Sequence, residues 1–83
     1  MAIAQMQKKE ISFRIVLRPE PEGGYTVSVP SLPGCITYGE TLAEAKEMAR
    51  DAINAYLASV KKHKGKFQDD SETLEGLLTL TYA

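Results

Sequence analysis

Apolar and polar residues alternate along three short stretches in the first half of the chain. Residues 11–18 carry apolar side chains at every odd position and mostly polar ones between them, which predicts a half-buried strand. Residues 25–29 repeat this alternation, and residues 35–38 form a short third strand antiparallel to the second. Between the first two strands lie residues 19–24, PEPEGG, in which proline fixes φ and glycine permits positive φ. A β-hairpin is therefore the predicted link.

The pattern then changes to a helical period from Leu42 to about Lys62. Thr41 followed by Glu44 is a capping box, in which the Thr41 hydroxyl accepts the Glu44 N–H and the Glu44 carboxylate bonds back to the Thr41 N–H. The inner side of this helix is rich in alanine, so it can lie close to a sheet. Gly65 is the predicted stop.

At the end of the chain, Leu78, Leu80 and Tyr82 alternate with threonines, which predicts a fourth strand. The element order is then β-β-β-α-β, an α+β fold with one long helix on one face of a four-stranded sheet. A right-handed crossover places the last strand parallel to the first and beside it. The uncovered face is predicted to be mixed and mostly small or polar: Ser12, Arg14, Val16, Arg18, Thr26, Ser28 and Thr37.

The length of 83 residues predicts one domain. Residues 1–10 show no period and are expected to form a flexible arm, which leaves residues 11–83 as a single folded unit. Because so small a core is thin, we expect a homo-oligomer or a partner to add burial. We find no stretch typical of a signal peptide or a membrane span, so the expected location is the cytoplasm.

Residues able to do chemistry are few. With one cysteine, Cys35, and one histidine, His63, a zinc site is not expected. A helix of about 20 residues is near 30 Å long, and it separates the two side chains too far for a nucleophilic pair. We expect Cys35 to be buried. The sequence predicts no catalytic residues, no metal, no cofactor and no enzymatic activity.

A basic run near the predicted helix end leaves two interpretations open. Its lysines either neutralise the acidic residues of the segment 69–75 around a loop, or form a patch for nucleic-acid phosphates. The absence of interleaved aromatic residues favours the first interpretation. The lysines are Lys61, Lys62, Lys64 and Lys66.

Residues 23–45, GGYTVSVPSLPGCITYGETLAEA, combine a Gly-Gly turn, a strand, a Pro-x-Leu-Pro-Gly-Cys loop and a helix cap. With the helix that follows, this order resembles the N-terminal domain of HicB-type antitoxins and their stand-alone relatives, over about residues 11–65. The signature residues, to which we assign structural roles, are Gly23, Gly24, Tyr25, Pro30, Pro33, Gly34, Cys35, Thr41 and Glu44.

The resemblance implies a partial RNase H-like fold and an antitoxin-like protein that binds and neutralises a small HicA-type RNase. It does not imply nuclease activity, because the first two strands lack the clustered acidic residues that would hold metal ions. Many family members carry a C-terminal DNA-binding domain. Since this chain ends at Ala83, we do not expect it to bind DNA directly. The alternative is a solitary homo-oligomeric binding module with another ligand or partner.

Overall fold

Three antiparallel strands and one long helix form the fold of the protein. The computed structural model describes residues 10–83, so the predicted arm lies almost entirely outside the described residues. The strands are β1 (Val16–Pro19), β2 (Tyr25–Ser28) and β3 (Ile36–Gly39), and the helix is α1 (Leu42–Lys62). The strand order in the sheet is β1-β2-β3. The predicted α+β class is therefore confirmed.

The β1–β2 hairpin turns where the Pro- and Gly-containing segment was expected to turn. Gly23 N–H donates to Glu20 O at 2.9 Å, and Glu20 N–H donates to Gly24 O at 3.0 Å. Gly23 and Gly24 have φ values of 109° and 79°, which non-glycine residues rarely adopt. The ladder extends only to Val16 opposite Ser28, and Pro30, two residues further on, has no N–H to continue it. β1 is therefore shorter than the predicted strand.

Helix α1 begins with the predicted cap, with one difference. Glu44 N–H donates to Thr41 Oγ1 at 3.0 Å, as expected. The Glu44 carboxylate, however, accepts the N–H of Glu40 at 2.6 Å and not that of Thr41. The return bond of the capping box is thus displaced by one residue, outside the helix.

The helix ends in a Schellman motif. Gly65 N–H donates to Val60 O at 2.8 Å, and Lys64 N–H donates to Lys61 O at 3.1 Å. The residue in the left-handed conformation is Lys64, with φ 56°, and not the neighbouring glycine. The predicted stop, Gly65, therefore lies one residue after the position that reverses the chain.

Two clusters of buried side chains form the core. The first joins Val27 to Ala45 and Ala49 of α1, and the small alanine side chains bring the helix close to β2 and β3. The second cluster lies under the loop between β2 and β3 and contains Val29, Leu32 and Cys35. The core is thin, as the chain length predicts.

The predicted fourth strand is not confirmed. Residues 74–83 contain no helix or strand, and β1 remains an edge of the described sheet. The alternating pattern is present, but it has no partner strand within residues 10–83. The large apolar side chains of this segment are 82–94% exposed: Leu74, Leu77, Leu78, Leu80 and Tyr82. The four-stranded, RNase H-like arrangement stays a prediction.

Candidate interaction surface

The face of the sheet opposite α1 differs from the prediction at β3. Val27 pairs with Thr37, and Tyr25 pairs with Gly39, so Thr37 lies on the helix side and not on the outer face. Ile36 and Tyr38 lie on the outer face instead. Because side chains alternate with a period of two, placing one residue of a strand wrongly moves the whole strand to the other face.

The outer face therefore carries apolar and aromatic groups across its width. Val16, Ser28 and Ile36 form one row, and Arg18, Thr26 and Tyr38 form the next. The large apolar side chains here are 42% (Val16), 63% (Ile36) and 44% (Tyr38) exposed. We call these two rows the outer-face surface. Tyrosine and arginine are enriched at protein–protein interfaces, and the centre of an interface is more apolar than its rim.

Hydrogen bonds to the hairpin fix the second row of this surface. Tyr38 OH donates to Gly23 O at 2.9 Å, and Thr26 Oγ1 donates to Glu20 Oε2. The Tyr38 ring passes so close to Gly24 that an added Cβ there would overlap its hydroxyl group. The two signature glycines thus permit both the turn and the position of Tyr38.

The loop from Pro30 to Cys35 is closed by backbone hydrogen bonds. Leu32 N–H donates to Val29 O, and Cys35 N–H donates to Leu32 O, both at 2.9 Å. Val29 N–H donates to Cys35 O at 3.0 Å. Leu32 is 1% exposed and anchors the loop in the core. Leu32 is the leucine of the Pro-x-Leu-Pro-Gly-Cys loop, to which the sequence analysis assigned no separate role.

The remaining signature residues occupy ordinary structural positions. Gly34 has φ 84° and turns the loop, while Pro30 and Pro33 are exposed. Tyr25 packs against the first core cluster, on the helix side, as predicted. Their structural roles remain our interpretation of the signature.

Cys35 lies in an apolar environment unsuited to nucleophilic chemistry. It is a free thiol that is 5% exposed, and its burial raises its pKa. His63 is exposed at the other end of α1, where its Nδ1 lies 2.9 Å from Ser59 O. The expected burial of Cys35 is confirmed. Among residues 10–83, no group of three or more histidine, cysteine or acidic side chains is arranged to hold a metal ion.

Sequence reasoning missed a carboxylate that holds the chain after α1 against residues 12–14, just before β1. Asp70 Oδ2 accepts the N–H of Arg14 at 2.8 Å, and its Oδ1 accepts the hydroxyls of Ser31 and Thr73, both at 2.7 Å. Its own N–H donates to Ser12 O at 2.6 Å. The Arg14 N–H, and then the Thr73 and Ser31 hydroxyls, lower the pKa of Asp70 to about 2. We call this group the Asp70 clamp.

The four lysines near the helix end are exposed, and two of them lie in the last turn of α1. There they interact favourably with the negative end of the helix dipole. Lys64 also occupies the left-handed position of the Schellman motif. Their binding to nucleic acid stays a prediction.

Comparison with known proteins decides the family. A family model described as the HicB-like antitoxin of bacterial toxin–antitoxin systems matches residues 13–80. The chain belongs to the HicB-like antitoxin family. The resemblance drawn from the signature is thereby confirmed.

Two kinds of relative match this HicB-like chain. A UPF0150 protein of Thermoplasma acidophilum is 39% identical over 61 residues, which cover 74% of this chain and 88% of the relative. A UPF0150 protein of Archaeoglobus fulgidus is 45% identical over 53 residues, covering 64% and 75% respectively. Antitoxin HicB of Escherichia coli K12 is 51% identical over 41 residues, covering 49% of this chain and 30% of that antitoxin. The matched region thus spans most of the archaeal relatives but less than a third of the named antitoxin.

Within the described part of the HicB-like chain, no helix is both long enough and apolar enough to span a membrane. Helix α1 has 21 residues, but charged side chains recur along it.

Proposed function

We propose that this HicB-like protein is an antitoxin that binds a small HicA-type RNase and blocks its cleavage of mRNA. The observation that carries the proposal is the family match over residues 13–80. Two relatives named Antitoxin HicB and Antitoxin HicB 1, from Escherichia coli and Photorhabdus laumondii, support the same role. The role is regulatory and non-enzymatic, and we place it in the cytoplasm, where mRNA is available to such a toxin.

We propose the outer-face surface as the site that contacts the toxin. No described element covers it, and its two rows expose Val16, Ile36 and Tyr38 beside Arg18. The hydrogen bond from Tyr38 to Gly23 holds part of this surface in place before binding. A surface that is already ordered loses less conformational entropy when a partner docks.

The test is co-expression with the protein encoded by the adjacent reading frame. We expect a complex that survives co-purification and an RNase activity that the HicB-like protein suppresses. If the neighbour is not a small basic protein with a catalytic histidine, or if no complex forms, the proposal fails.

Ile36→Asp then tests the location of the site. Ile36 is 63% exposed, so the substitution should leave the fold intact while placing a desolvated charge in the interface. Met48→Asp is the matched control, because Met48 is also an exposed apolar residue but lies on α1, on the other side of the sheet. Loss of the complex with both variants, or with neither, would refute this location.

A second function is a solitary homo-oligomeric binding module. It is favoured by the exposed apolar side chains of residues 74–83, which no described part of the chain covers. We propose that a second copy covers them and that a four-stranded, partly RNase H-like sheet is completed in the assembly. A monomer by light scattering at micromolar concentration would contradict this proposal.

A further inference from the structure

Residues 74–83 alternate apolar and polar side chains as a strand does, but they pair with no strand among residues 10–83. Leu78, Leu80 and Tyr82 share one side of this segment, and threonines occupy the positions between them. All three side chains are at least 82% exposed. Large apolar groups arranged in this way favour burial against a second surface.

The outer edge of the first strand is open to such a segment. Glu20 N–H bonds to Gly24 O, so in the antiparallel ladder the peptide groups of the even residues of β1 face β2. The peptide groups of Leu17, and of Ile15 and Phe13 before β1, therefore face away from β2. No strand among residues 10–83 pairs with that edge.

A groove runs alongside the same edge, on the helix side. Its walls are the side chains of Ile11, Phe13 and Ile15 and one flank of α1, and its volume is about 360 Å³. The flank of α1 also contributes Lys46, Arg50 and Asn54. A strand added beside residues 11–17 would direct alternate side chains into this groove. Residues 77–83 match that edge in length. The apolar lining is Ile11, Phe13, Ile15, Ala49, Ile53 and Leu57.

The Asp70 clamp holds the chain that leads into the tail on the β2 side of residues 12–14. The tail of the same molecule therefore does not start next to the open edge of β1. Ser12 and Arg14 are even residues, and Asp70 bonds to both and also to Ser31, which follows β2. Asp70 therefore lies on the β2 side of residues 12–14, opposite the open edge. The turn from Asp70 to Thr73 keeps the chain there, because Thr73 N–H donates to Asp70 O at 3.0 Å.

To reach the open edge, the tail of the same chain would have to cross residues 12–14 on one face of the sheet or the other. Side chains occupy both faces. On the helix side, the Phe67 ring packs against Phe13 with centroids 5.9 Å apart. On the other side lies the Arg14 side chain, whose Nε is buried. The tail of another molecule approaches the open edge from solvent and meets neither obstacle.

We propose that residues 77–83 of one copy add a strand to the β1 edge of a second copy, with Leu78, Leu80 and Tyr82 in the groove of that copy. The exchange is reciprocal, so it closes a two-fold symmetric dimer and leaves no tail uncovered. The added strand takes the position beside β1 that the crossover rule assigns to the fourth strand. This inference rests on the homo-oligomer proposed above and is independent of any toxin.

Isotope-filtered NMR on the full chain tests the exchange. Labelled and unlabelled protein are unfolded together, refolded and examined for contacts between the methyl groups of Leu78 or Leu80 and those of Ile11 or Ile15. We expect contacts between labelled and unlabelled chains, and a dimer mass by light scattering.

Each other outcome overturns the exchange in a distinguishable way. Contacts only within one chain would mean that the tail reaches its own β1. A dimer without tail contacts would leave the homo-oligomer standing and remove strand exchange. A monomer would remove both.

Paired substitutions test the direction of the side chains. Leu78→Asp with Leu80→Asp removes two side chains from the groove, and we expect the dimer dissociation constant to rise about 100-fold or more. The matched control, Thr79→Asp with Thr81→Asp, adds the same charge on the opposite side of the strand. We expect its dimer dissociation constant to be at least tenfold lower than that of the leucine pair. Circular dichroism should show α1 intact in both, because the tail is outside the core of each copy. Equal effects of the two pairs would overturn the proposal.

Discussion

Replacing Gly39 by alanine should destabilise the protein strongly, although the change adds only one methyl group. Gly39 ends β3 on the helix side, opposite Tyr25. A Cβ built at Gly39 would overlap the backbone N and Cα of Ala45 and lie 2.9 Å from the Ala45 Cβ. Ordinary contacts between carbon atoms are about 3.5–4.0 Å.

The loss of stability in Gly39→Ala depends on which atoms must move to make room for the added methyl group. Ala45 is 0% exposed, and its N–H is bonded to Thr41 O at 2.8 Å, so the obstacle is the backbone of the first helical turn. Overpacking a core costs about 1–3 kcal/mol, and we expect the upper end because no side-chain rotation relieves the overlap. For a domain of this size, about 3 kcal/mol lowers the midpoint of thermal unfolding by about 12–24 °C.

Thermal and urea unfolding followed by circular dichroism measure this effect, with two glycine controls. Gly76→Ala meets no atom within 4 Å and has no positive φ, so it should change the free energy of unfolding by less than about 0.5 kcal/mol. Gly34→Ala also meets no atom within 4 Å, but its φ of 84° should cost about 1–2 kcal/mol.

A second substitution separates the backbone contact from the side-chain contact. Ala45→Gly in the Gly39→Ala background removes the Cβ of Ala45 and leaves the overlaps with its N and Cα. The rescue should therefore be partial at most. If Gly39→Ala were no more destabilising than Gly76→Ala, the close approach of α1 to β3 would be wrong.

Four further substitutions test other parts of the structure by urea unfolding. Thr41→Ala removes the hydroxyl that accepts Glu44 N–H and should cost about 1 kcal/mol. Leu32→Ala empties a fully buried position and should cost about 2–5 kcal/mol. The lowered pKa of Asp70 means that the unfolded carboxylate takes up its proton first, so stability should fall as the pH drops from the ordinary aspartate range to about 2, less steeply in Asp70→Asn. The raised pKa of Cys35 means that the unfolded thiol loses its proton first, so stability should fall as the pH rises above the ordinary thiol range, less steeply in Cys35→Ala. Identical pH slopes in variant and wild type would contradict either linkage.

The hairpin and the start of the helix could be predicted because their determinants are local. The glycines at 23 and 24 permit positive φ, and Thr41 is separated from Glu44 by the spacing of a cap. Both features depend on a few consecutive residues. The errors at these sites, such as the return bond to Glu40, are displacements of one residue.

The face of β3 could not be predicted in the same way. Which side chains point outward depends on the register between β2 and β3, and the closed loop from Val29 to Cys35 sets that register. Polarity alone suggested that Thr37 points outward, yet the pairing places Ile36 and Tyr38 there. The most exposed part of the outer-face surface was therefore absent from the sequence prediction.

The Asp70 clamp had no local signal either. Its partners Ser12, Arg14 and Ser31 lie 39 or more residues away in the chain. From the sequence alone, an aspartate in a polar segment is expected to be exposed to solvent. The fourth strand stays a prediction for a related reason. Alternation shows that a segment is suited to a sheet, but pairing requires an edge that the segment can reach.

The residues that hold this fold together are distinct from the residues of the outer-face surface. Gly23, Gly24 and Gly39 are explained by positive φ or by close approach within the chain, and Leu32 and Cys35 are buried beneath the loop. The outer-face residues Val16 and Ile36 lie on strands that these contacts hold, yet they make no such contact themselves. If the outer-face surface is the toxin site proposed above, substitutions at these two positions should change binding and leave the scaffold intact. Residues 23–45 therefore identify the fold, whereas the proposed test of partner choice lies with exposed side chains such as Val16 and Ile36.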